Sequence, residues 1–144
     1  MNKLIAITLA LGGGIAIAIQ SIVNSALGRS IGNLEGTFIS FVVGGLAAGL
    51  LSMLLGTGEL MAITKVSPVL LVGGFLGVIV VFATLTSVQV LGTVSALTLA
   101  IVGQLLTAVV IDHFGLFGSM RLTLDWSRLL GVVLLIIAAK LIVK

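Results

Sequence analysis

The chain predicts an all-α integral membrane protein built on five transmembrane helices. Of its 144 residues, 60% are hydrophobic and only 8% are charged, where a soluble domain carries about a quarter charged. Mean hydropathy is +1.44. The apolar residues gather into five stretches, 4–26, 35–55, 68–91, 94–113 and 127–143. Each is about 17–24 residues, long enough for a helix to cross the ~30 Å hydrocarbon core. A soluble bundle of the same composition would lack the polar shell that water requires. The expected organisation is a single transmembrane domain over 1–144, with no linker and no internal duplication.

Each element has its own signal. The first stretch opens with Lys3 and imitates a signal peptide, Ala16-Ile17-Ala18 standing as a cleavage site. Its apolar run continues to Ala26, too long for the core of a secretory signal, so it reads as a span. A loop is expected over 27–34, LGRSIGNL, because Gly28, Gly32 and Asn33 are turn residues. In the next connection, 56–67, Gly56 and Gly58 stop one helix and Pro68 starts another. Only Gly92 and Thr93 separate the third and fourth stretches, which predicts a tight hairpin. The last connection, 114–126, carries Arg121, Asp125 and Trp126, the last placed as an interfacial anchor. In the fifth stretch, Gly131, Ala138, Ala139 and Lys140 are the only small or polar residues after Leu129. That pattern describes a lipid-facing or dimer-packing helix rather than one lining a pathway.

The charges say little about orientation. Five crossings would put Lys3, Lys65, Arg121 and Arg128 on one side and Arg29, Lys140 and Lys144 on the other. Four against three is too even for the positive-inside rule to choose a topology. An odd number of spans with no fixed orientation points to a chain that inserts both ways and pairs with an inverted copy of itself.

Several functions are disfavoured. The net charge of +3 comes from scattered residues, without a basic run that could follow a nucleic-acid backbone. With no cysteine and one histidine, no disulfide framework, thiolate chemistry or metal centre is expected. No catalytic motif or phosphate loop is present. The expectation is a non-enzyme without cofactors. Nor is there an aromatic cage for a quaternary ammonium, since tyrosine is absent and the one tryptophan lies in a connection.

Polar residues inside the spans are the candidates for function. Gly12, Ala16, Gln20, Asn24 and Gly28 form a four-spaced stripe on the first helix, so Gln20 and Asn24 are expected to share a face. The fourth repeats the design with Ala96, Ala100, Gln104, Ala108 and Asp112, placing Gln104 near the bilayer midplane. An amide has donors and an acceptor to satisfy, and lipid offers neither. Two readings stand side by side. The amides are glue between helices, or with Ser95 and Thr98 they line a polar path for a small solute. The hydroxyls, Thr107 included, also have the option of bonding their own backbone. Asp112, His113 and Arg29 sit at helix ends, where interfacial solvation is the simple explanation and coupling or gating the sharper one. Small residues at four-residue spacing, Ser40, Gly44, Ala48 and Ser52 with Gly73 and Gly77, allow close helix approach, either static or sliding.

Three segments carry a family resemblance. QSIVNSALGRSIGN (20–33), GQLLTAVVIDHFGLFG (103–118) and RLLGVVLLIIAAKLI (128–142) resemble the motifs of the YdcZ-type five-helix bacterial proteins of the drug/metabolite transporter (DMT) superfamily. The likeness runs through the whole chain, the GQ…DHFG block being its most specific part. Leu34, and a position near Val90, stand where that family often has proline. The resemblance implies one half of a ten-helix, EamA/DMT-like inverted-repeat transporter with a solute between the halves and alternating access. It further implies a multi-pass protein of the bacterial cytoplasmic (inner) membrane whose partner is an inverted homodimer mate or an oppositely oriented paralogue. The competing expectations are a dual-topology passive channel for a small ion and a structural membrane subunit without flux.

Overall fold

The computed structural model describes residues 2–119, 121 and 125–143. Five α-helices follow one another: α1 (Lys3–Ile31), α2 (Asn33–Leu55), α3 (Val72–Leu91), α4 (Thr93–Phe114) and α5 (Trp126–Ile142). Short 3-10 turns occupy Leu60–Lys65, Pro68–Leu71 and Leu116–Gly118. No strand occurs among the described residues. Four of these segments, counting Pro68–Leu91 as one, are long and apolar enough to cross a membrane. The fifth helix has 17 residues, about 26 Å at 1.5 Å per residue.

The first connection differs from the expected loop. α1 continues through Leu27–Ile31, and α2 begins at Asn33. Leu27, Arg29 and Ile31 are acceptable helix formers, so the turn residues around them do not melt the helix. The break is confined to Gly32, whose φ of 105° is closed to other residues. α1 is therefore 29 residues long, about 43 Å, which exceeds the hydrocarbon core and calls for tilt or an extension beyond it. Gly92, at φ 77°, separates α3 from α4 in the same manner. The side chain of Asp125 caps α5, accepting from the Arg128 backbone N–H at 2.8 Å.

The chain divides into two compact units, Met1–Thr86 and Ser87–Lys144. In the first, α1 packs on α2. The hairpin folds about Gly32, so that residues equidistant from it meet. A Cβ on Gly36 would lie 3.1 Å from the Gly28 backbone. At that crossing two glycines let the helix backbones touch, the mode of association that survives when lipid removes the hydrophobic drive. Farther along, the Phe41 ring covers Gly77 of α3, reaching 3.1 Å from its missing Cβ. In the second unit, α4 packs on α5. Leu85, Val88, Ala96 and Ala139 are the buried apolar residues among those described.

Candidate solute-binding site

Every buried residue of α1 is polar or glycine: Ser21, Asn24, Ser25 and Gly28. Their three- and four-residue spacing defines one helix face. On that face Asn24 Oδ1 accepts the Ser40 hydroxyl of α2 at 2.7 Å. Ser25 Oγ accepts from Arg29 at 2.9 Å. The buried Thr37 hydroxyl donates to the Asn33 carbonyl at 2.8 Å, and Ser21 donates to that of Ile17 at 2.7 Å. Asn33 Nδ2 reaches Thr86 Oγ1 of α3 at 3.1 Å, tying the third helix to the hairpin. Each buried polar side chain here thus has a partner, on its own helix or across the hairpin, as an apolar surrounding demands. Sequence reasoning named Asn24 but missed Ser21, Ser25, Thr37 and Thr86. The signal was there in the alternation of three and four, which a strict four-residue stripe skips.

Gln20 and Asn24 do not share an environment. Asn24 is buried, while Gln20 precedes the buried Ser21 by one residue, about 100° around the helix, and is exposed. On α4, Ser95 and Thr98 are half-buried and Gln104 is exposed. Thr107 bonds its own helix, donating to the Gly103 carbonyl at 2.8 Å. Asp112 is half-buried; His113 is exposed, its ring edge-on to Phe114 at 5.0 Å. Arg29 is exposed, its guanidinium donating to Ser25 Oγ.

Each unit carries a groove. One of about 690 Å³ lies beside the α1–α2 turn, lined by Ile31, Leu34, Phe38 and Phe41 with Val78 of α3. Its single carboxylate, Glu35, is folded back over Gly32, against the position a Cβ there would take. That posture suits an acidic residue in the first turn of a helix. The other groove, about 260 Å³, runs between α4 and α5 from Asp112 and Arg128 past Ala108 and Gly131 to Leu105 and Leu135. α4 ends at Phe114 and α5 starts at Trp126, a connection short enough to make packed neighbours antiparallel, which puts Asp112 and Arg128 at the same end of the groove. α5 supplies half of this groove. Arg128 is a residue that sequence reasoning passed over, because a cation at a helix start reads as an interfacial anchor.

Helices this long and apolar, with no polar outer face, define a membrane protein. Residues 5–141 match the family described as "Putative inner membrane exporter, YdcZ", and the chain belongs to that family. It is accordingly a multi-pass inner-membrane protein of transporter type, a role that calls for no catalysis. No curated protein and no solved structure matches it.

Proposed function

We propose that the chain is one half of a secondary transporter of a bacterial cytoplasmic membrane. Two copies in opposite orientations carry a small organic solute by alternating access between them. One observation bears most of this reading. Gln20 and Gln104, in the spans of α1 and α4, are exposed on the single chain, and amides there have nothing to bond in lipid. They call for a polar cavity or a partner helix. A second copy with inverted topology supplies both, since an antiparallel two-fold axis brings the two Gln104 residues to a similar depth. The near-even division of Lys and Arg supports insertion in either direction. Gly44, Gly45, Gly49 and Gly73 have no atom within 4 Å of a Cβ position, which leaves these small-residue faces open to a partner's backbone. In this reading α5 is the fifth crossing, Asn24 supports the cavity wall from behind, and Ser95, Thr98, Asp112, His113 and Arg29 serve towards its mouths.

Reporter fusions at the carboxy terminus test the assembly. Intermediate signals are expected for both cytoplasmic and external placement, and two or three added lysines on one side should drive them to one extreme. A single clean orientation in the wild type would overturn the inverted pairing.

A further inference from the structure

The α4–α5 groove carries more chemical information than its size implies. Asp112 stands in the last turn of α4 and Arg128 in the first turn of α5, and both line the same cavity of about 260 Å³. Among the described residues no ion pair joins them, so the groove keeps a carboxylate and a guanidinium at one end without closing between them. Behind the charges the walls are Leu105, Val109, Val132 and Leu135. The volume falls below the ~300–1,000 Å³ of pockets for drug-sized ligands.

We propose that this groove binds a small zwitterion, its ammonium on Asp112, its carboxylate on Arg128 and its apolar side group between the helices. Charge complementarity selects this class. A simple anion would meet Arg128 but be repelled by Asp112, and a simple cation would meet the reverse. A neutral apolar solute would leave both charges to be desolvated without compensation, which is strongly unfavourable. A zwitterion satisfies both at once, and the guanidinium offers the planar fork that a carboxylate matches. Gly131 and Ala108 leave the space that the side group fills; nothing lies within 4 Å of a Gly131 Cβ. Gln104 lies one turn beyond Ala108 on the stripe that ends at Asp112, so a solute released inward from the groove meets that amide next. The assignment takes its purpose from the transport reading above, but its binding test does not depend on flux.

The test uses the full-length protein in nanodiscs and titration calorimetry with three probes: L-leucine, 4-methylpentanoate, which lacks the ammonium, and 3-methylbutylamine, which lacks the carboxylate. L-Leucine should bind at least about tenfold more tightly than either single-charge analogue. Asp112→Asn and Arg128→Gln should each weaken it by about the same factor. Should either variant fail to fold, Gly131→Leu provides the same decision. Its Cβ meets no atom within 4 Å and its side chain occupies the groove, so it should abolish leucine binding while the protein still melts at or above the wild-type temperature. Leucine binding no tighter than that of the analogues, or surviving Gly131→Leu, would overturn the site. Proteoliposome flux separates the two claims. Leucine binding of the expected pattern without saturable leucine flux supports the site and counts against the carrier. Saturable flux of another solute with no leucine binding counts against the site alone.

Discussion

In the α1–α2 hairpin, Ser21, Asn24, Ser25 and Gly28 turn inward and bond to neighbours. In the α4–α5 pair, Gln104 stays exposed and Asp112 and Arg128 border an open groove. Both pairs draw on small and polar residues at helical spacing. What separates them is the crossing. Gly28 and Gly36 bring two backbones into contact and seal the polar face, whereas Gly131 faces open space. The same residue types are thus packed in one pair and left open in the other.

The contrast breaks most visibly at the glycines. Gly36→Leu must push α1 and α2 apart and should lower stability by about 1–3 kcal/mol. Gly131→Leu should leave stability unchanged or raise it slightly, since leucine favours the helix more than glycine does. Thermal unfolding in detergent compares them directly, and equal losses would erase the distinction between sealed and open crossings.

The amides give the next effect. Gln104→Leu should preserve expression and melting temperature but weaken solute affinity about tenfold, the equivalent of about 1.4 kcal/mol. Asn24→Leu should do the reverse, losing the Ser40 bond and about 1 kcal/mol of stability. Measuring both quantities on one preparation of each variant separates them; a melting-temperature loss with unchanged affinity for Gln104→Leu would make it glue as well.

The smallest effect belongs to the outer face of α5. Leu134 and Ile136 are exposed and lie off the groove. Exchanging both for other aliphatics should cost less than about 1.5 kcal/mol and leave flux intact. Lost flux in a stable, dimeric double variant would move the pathway to that face.

Four of the spans were legible in the sequence because hydropathy needs no tertiary information. Gly32 and Gly92 were legible as breaks, though the loop expected around Gly32 shrinks to that residue, its neighbours being able to hold helix on either side. The site was only partly legible. Gln20 and Asn24 read as one face, but a single residue's rotation sends Ser21 inward and Gln20 outward. Arg128 was invisible as a site residue, because its value lies in standing across a groove from Asp112. Which residues face each other across two helices is set by packing, and no periodicity within either helix records it.

In the proposed transporter, Gln104 lines a wet cavity between inverted copies rather than facing lipid. The chain has no cysteine, so single cysteines can be placed without background. Gln104→Cys and Leu134→Cys should be treated, in native membranes and in inverted vesicles, with a small membrane-impermeant thiol reagent. The cysteine at 104 should react in both preparations, and the one at 134 in neither. A cysteine at 104 as inert as the one at 134 would contradict that placement.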